Sequence, residues 1–352
     1  MIAASRHPVL HMLAALLVAA PMGALAQWLH LPLPWMIGPL LAVAALRIAG
    51  VPLAGLPGGR QAGQWAIGTA LGLYFTPAVM QELARHGGTV LSIAAASLPA
   101  GVLCALLIHR LSGADRPTSY FAALPGGAGE MSVLAERHGG AVDLVAAAHA
   151  LRVAVVVVTI PFALSFSGAH GSDAYAPLAA TTDWARMPVL VLASLAGALP
   201  LLLFRVANAW VLGPLLGVGV LTAAGLPLSA LPHWLVNGGQ LLIGVALGCR
   251  FSPGFFRRAP RFMAAALMSA LLAIVIGTLL ALLFAWQGGL SPASMALAAA
   301  PGGVAEMSVT ARELQLGVPL VTACHVLRVI FLTLGAGLVF RLLQPADTRQ
   351  AC

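Results

Sequence analysis

The sequence predicts an all-α polytopic membrane protein built from two homologous repeats, and three observations carry that prediction. Charge is scarce: of 352 residues, 60% are hydrophobic and 8% charged, against about 25% charged in soluble globular chains. The apolar residues come in runs near bilayer length, and mean hydropathy is +0.96, so the runs read as spanning helices and not as half-buried stripes. The chain also repeats itself at a period of about 176 residues. Residues 125–152 read PGGAGEMSVLAERHGGAVDLVAAAHALR and residues 301–328 read PGGVAEMSVTARELQLGVPLVTACHVLR, identical at 15 of 28 positions where composition alone gives roughly 3. Together these exclude a soluble enzyme, a DNA-binding domain and a disulfide scaffold.

Weaker matches carry the duplication upstream. Trp35, Gly38, Pro39, Leu40 and Leu41 correspond to Trp210, Gly213, Pro214, Leu215 and Leu216, while Gln64, Gly68, Gly72, Phe75 and Pro77 correspond to Gln240, Gly244, Gly248, Phe251 and Pro253. The predicted organisation is membrane repeat 1 over 1–166, a polar linker over 167–183 and membrane repeat 2 over 184–352.

Within each repeat the elements follow in order. An opening apolar span covers 8–26 and 187–204. A short Gly/Pro-interrupted segment covers 33–49 and 209–224, each introduced by a Trp suited to anchoring at the interface. A third segment, 61–80 and 237–253, carries Gly at four-residue spacing, the small-residue face that lets helices approach closely. A long span follows at 88–109 and 263–286, then a segment broken by Pro-Gly-Gly at 118–137 and 292–312, and a closing span at 141–166 and 318–343. The first run, with Arg6 ahead of it and Ala24-Leu25-Ala26 behind it, imitates a secretory signal. Its counterpart at 187–204, which likewise opens with Pro-Val-Leu, makes it an integral part of a repeat.

The basic residues set the expected topology. All 18 are Arg, spread along the chain, and cytoplasmic loops carry the excess of positive charge. In the first half they precede the opening span (Arg6), follow the second segment (Arg47, Arg60) and follow the fourth (Arg110, Arg116). In the second half they follow the first span (Arg205), the third (Arg250, Arg257, Arg258, Arg261) and the last (Arg341, Arg349). Equivalent loops carrying charge in opposite halves predict inverted repeats, each of about five transmembrane helices plus one re-entrant Pro-Gly-Gly segment, with both termini cytoplasmic. The placement expected is a bacterial cytoplasmic (inner) membrane, multi-pass. The cysteines Cys104, Cys249, Cys324 and Cys352 show no metal-ligand spacing.

Only ten residues are acidic, yet Glu130 and Glu306 recur in register. Each follows a helix break, Pro125-Gly126-Gly127 or Pro301-Gly302-Gly303, which frees backbone groups and points a helix N-terminus at whatever lies in front of it. Broken backbone at membrane depth is tolerated only inside protein or along a cavity. His149 with Arg152 and His325 with Arg328 recur as well, spaced i, i+3 on one helix face. A lone Arg at that depth costs about 3 to more than 10 kcal/mol, so each is expected to face inward and meet a carboxylate, Glu130 or Glu306 foremost, or carbonyls. Ser132 and Ser308 add a hydroxyl near each Glu. Two readings of these residues stand side by side. They form a buried network that only locks broken helices together, or they form a solute and proton site at the midplane, as inverted-repeat transporters do.

At these residues the chain resembles the AbrB-type membrane proteins, which are built from a duplicated hydrophobic unit carrying paired Pro-Gly-Gly-x-x-Glu-Met-Ser and His-x-x-Arg motifs. The resemblance covers both copies and essentially the whole chain. Its members are labelled either as regulators of gene expression or as ammonia monooxygenases, so it implies two alternatives to transport: an indirect role in gene regulation, or a metal-dependent membrane monooxygenase. The residues favour neither. The sequence offers no helix-turn-helix or basic recognition stretch, and Arg beside each His and Glu disfavours a metal cation. The expectation is therefore a transporter-like protein binding a small polar or anionic solute between the repeats, with proton coupling through Glu and His. It has the bilayer and a small solute or ion as partners, no direct nucleic-acid contact, no cofactor, no metal and no catalytic residue, and a homo-oligomeric state left open.

Overall fold

The computed structural model describes residues 8–343 apart from 170, 172–176, 178, 180, 207 and 258. Arg6, Arg258, Arg349, Cys352 and about half of the linker expected at 167–183 lie outside the described residues. Among the described residues all regular structure is helical, in the order α1 (Pro8–Trp28), α2 (Pro34–Ile48), α3 (Gly59–Gly72), α4 (Pro77–Arg85), α5 (Gly87–Ser112), α6 (Arg116–Ala123), α7 (Ala128–Arg137), α8 (Val142–Phe166), α9 (Met187–Leu203), α10 (Ala209–Ala223), α11 (His233–Gly248), α12 (Pro260–Gly288), α13 (Pro292–Ala299), α14 (Val304–Glu313) and α15 (Val318–Leu343). Five of these, α1, α5, α8, α12 and α15, are long and apolar enough to cross a membrane. This is a membrane-spanning helical protein.

The segments expected from the sequence all become helices, with one difference. The third segment of the first half ends at Gly72, and residues 77–85 form a separate helix, α4. The physical reason is Pro77, which disfavours helical backbone at the residue before it and starts a new helix of amphipathic character. Glu82 there holds Arg85 at 3.3 Å and His86 at 3.1 Å. In the second half, among the described residues, those after Gly248 form turns with no helix corresponding to α4. Several helices are short: α2 and α10 have 15 residues each, about 22 Å at 1.5 Å per residue.

The chain forms two compact units, and each draws on both halves of the sequence. Unit 1 comprises residues 1–81, 161–258 and 308–319. In it α1 lies on α2 and α9 on α10; α2 lies on α11, α3 on α10, and α3 on α11. Glycine makes these approaches close. A side chain at Gly63 would overlap the Gly239 backbone, one at Gly68 the Val211 backbone, and one at Gly244 the Met36 backbone. Gly72 faces Val218 and Leu215, while Gly248 faces Val43 and Leu40. The glycines expected to form packing faces thus touch neighbouring backbone, where van der Waals contact needs small residues.

Unit 2 comprises residues 82–160, 259–307 and 320–352. Here α5 packs along α12; the short α6 lies on α5 and also meets α12, and the short α13 lies on α12 and also meets α5. Both Pro-Gly-Gly breaks open within this unit, between α6 and α7 and between α13 and α14. Tyr120, Phe121, His138 and Phe340 form an aromatic cluster at one end, with ring centroids 4.9–5.5 Å apart.

Candidate functional site

The repeated motif first explains its own local structure. Pro125 and Pro301 end the preceding short helices, so the last carbonyls of α6 and α13 lack amides four residues on. The following Gly, 127 and 303, sits at the N-cap, where its carbonyl accepts from the Met131 and Met307 amides at 2.9 and 3.1 Å. Glu130 and Glu306 are the third residues of α7 and α14. Glu130 reaches back and accepts from the Gly127 N–H, which is the Glu half of a capping box. Glu306 folds back in the same way, close enough that a Cβ at Gly303 would overlap its carboxylate. Met131 and Met307 curl over Gly126 and Gly302, again leaving no room for a side chain.

His149 and Arg152, on α8, take up the carbonyls on the other side of the first break. His149 Nε2 donates to Phe121 O at 2.9 Å, and Arg152 Nη1 donates to Leu124 O at 2.8 Å and to Ala123 O at 3.3 Å. Arg152 Nη2 donates to His149 Nδ1 at 3.0 Å, which assigns the neutral Nε2–H tautomer to His149. The second copy repeats the plan on α15: His325 Nε2 donates to Leu297 O at 2.9 Å, and Arg328 donates to Ala300 O and Gly302 O. The sequence expects each Arg to meet a carboxylate or carbonyls, and it is carbonyls that accept its hydrogen bonds. A guanidinium at the carbonyl end of a short helix meets the negative end of its dipole. Each such charge-assisted bond contributes about 1.5–3 kcal/mol, enough for two or three of them to offset much of the cost of burying the charge.

All four of these His and Arg side chains are buried. Glu306 and Arg152 both lie within electrostatic reach of Arg328, so residues from the two halves converge. Glu130 instead accepts from Thr333 Oγ1 at 3.1 Å, a contact from α15 that repeat comparison misses because Val157 occupies the register position of Thr333. Ser308 is fully buried on α14, whereas Ser132 is half-buried on α7.

Between the two breaks lies a cavity of about 30 Å³, room for about two waters, lined by Pro125, Pro301, Cys104, Cys324 and Arg328 together with residues of α5 and α12. Cys104 and Cys324 are further residues that sequence reasoning leaves unassigned. Among the described residues only four buried side-chain polar atoms lack a hydrogen-bond partner, and three belong to this network: Arg152 Nε, Arg328 Nε and His325 Nδ1.

The donor set does not fit the redox metal that an oxygenase needs. His149 commits both ring nitrogens, His325 commits Nε2 to a carbonyl, and a guanidinium stands next to each. Among the described residues no group of three or more His, Cys, Asp or Glu is placed to hold a metal ion.

Comparison with known proteins places this architecture in a family. The chain is 27% identical over 352 residues to the uncharacterized protein YhjN of Bacillus subtilis, an alignment covering 93% of this chain and 90% of that one. It is also 27% identical over 344 residues to a protein of Escherichia coli K12 named as a regulator, AbrB, covering 95% and 96%. No solved structure matches. A family model described as transition state regulatory protein AbrB matches residues 35–344, and the chain belongs to that family.

Proposed function

We propose that this protein is a secondary-transporter-like carrier of a bacterial cytoplasmic membrane, binding a small polar or anionic solute between two inverted repeats. The observation that carries this reading is the pair of register-related guanidiniums, Arg152 and Arg328, buried at the two helix breaks, each with an N–H that has no partner and Arg328 lining the cavity between the breaks. A buried cationic donor without a partner is costly, and a negatively charged solute would satisfy it. Glu130 and Glu306, with His149 and His325, are the groups proposed to exchange protons. The division into repeats at 1–166 and 184–352 is supported by the pairing of helices: α2 on α11 mirrors α10 on α3, and α6 on α12 mirrors α13 on α5. Inverted repeats with broken helices and ionisable residues near the midplane are a recurrent transporter plan.

The test is flux in proteoliposomes with and without a pH gradient. The reading expects accumulation that responds to the gradient and is lost in Glu130→Gln plus Glu306→Gln; unaltered flux in that folded double variant would remove the proton role. Stoichiometric copper or iron in the purified protein would overturn the carrier reading altogether. A reporter fused in the 167–183 linker is expected on the outer face, and a cytoplasmic signal there sinks the inverted arrangement.

A further inference from the structure

We infer that the species held between the two breaks is a small, weakly hydrated monovalent anion of the size of chloride, formate or nitrate. The inference rests on the carrier reading and narrows its substrate class. Three features of unit 2 lead to it. The cavity between Pro125 and Pro301 has a volume of about 30 Å³, which suits an ion of very few atoms and disfavours a dicarboxylate or a phosphate ester. Its walls are mostly apolar side chains, two prolines and two thiols, with one hydroxyl from Ser97, and Arg328 is the one charged side chain among them. Such walls replace little of an ion's hydration, so they select anions that hold water weakly and reject a dianion, whose desolvation cost is far larger.

The charge on the cavity wall gives the same valence. Arg328 is its one charged side chain, and a single negative charge neutralises it. The Nε of Arg328 lacks a partner, so an anion in the cavity would also give a buried donor its acceptor.

Thermal unfolding and calorimetric titration of the full-length protein in detergent, at fixed ionic strength, test this with sodium nitrate, formate, chloride and sulfate. A ligand that binds the native state raises the unfolding temperature in a concentration-dependent way. Nitrate, formate or chloride is expected to bind and sulfate not to. Arg328→Gln is expected to weaken nitrate binding about ten- to a hundredfold, the loss of one charge-assisted hydrogen bond. Because that variant could fail to fold, Ala100→Val serves as a second: it narrows the cavity, keeps both guanidiniums and is expected to abolish nitrate binding. Wild-type protein that binds none of the monovalent anions, or binds sulfate more tightly than nitrate, overturns the inference. Flux in proteoliposomes separates this outcome from the carrier reading. Transport of a larger solute that nitrate does not inhibit overturns the anion assignment and leaves the carrier standing. Anion binding without any flux supports the assignment and overturns the carrier.

Discussion

The two copies of the Pro-Gly-Gly motif share a sequence and a local fold but differ in what their ionic groups have left to do. In the first, Arg152 turns back to His149 and closes its imidazole off, while Glu130 is half-buried and held by Thr333. In the second, Arg328 reaches forward to Gly302, His325 Nδ1 is left without a partner, and Glu306 is buried. Arg328 lines the cavity, whereas Arg152 does not. The lesson is that two copies of one motif share helix breaks and His–Arg pairs while their side chains take different partners; on this contrast the first copy is expected to act as a lock on its break and the second to stay more open.

Substitutions can break that contrast. Arg152→Ala should have the largest effect on stability, about 3–5 kcal/mol, because it strands the Ala123 and Leu124 carbonyls together with His149 in a buried setting; unfolding in detergent checks it, and a loss under 1 kcal/mol would show that the first copy is no lock. Gly303→Ala comes next, at about 2–3 kcal/mol, since the new methyl overlaps a buried Glu306 and overpacking costs that much where nothing can move. Gly127→Ala should cost roughly 1 kcal/mol or less, because a Cβ there would stand 3.1 Å from Glu130 Oε2 and that half-buried carboxylate can give way. Equal losses at the two glycines would erase the asymmetry. The smallest effect expected is that of Thr333→Val, about 0.5–1.5 kcal/mol for one hydrogen bond, seen as faster hydrogen exchange in α7 with α14 unchanged.

As a control where the copies are equivalent, Gly68→Ala and Gly244→Ala should be alike. Each would press a methyl into facing backbone, Val211 in one case and Met36 in the other, for about 1–3 kcal/mol. A marked difference between them would mean that the two helix crossings are less alike than their contacts.

Much of this was legible in the sequence because helix breaks, bilayer-length runs and register-matched rare residues are strong local signals. The segments around Pro125 and Pro301 end where Pro and Gly require, and His149, Arg152, His325 and Arg328 face inward as an intramembrane charge must. What stayed hidden depends on choices between competing partners. Pro-Gly-Gly frees carbonyls as well as creating a helix N-terminus, and the chain alone does not reveal that Arg would take the carbonyls while Glu capped its own helix. Thr333, Cys104 and Cys324 were missed for a different reason: repeat comparison finds only what both halves share. Helix α4 escaped because the hydrophobicity of its first residues blends into α3, and only Pro77 marks the boundary.

The cross-pairing of the halves also bears on how the protein is made. Helices α2 and α3 find their partners on α10 and α11, and α5 finds its own on α12, so the glycine faces of the first half have nothing to close upon until the early helices of the second half have been made. Between the end of α3 at Gly72 and the end of α11 at Gly248, synthesis at about 5–20 residues per second takes roughly 10–35 s. During that interval the glycine faces of α2 and α3 lack their full set of partners, and a product truncated near the linker would lack the helices those faces close on.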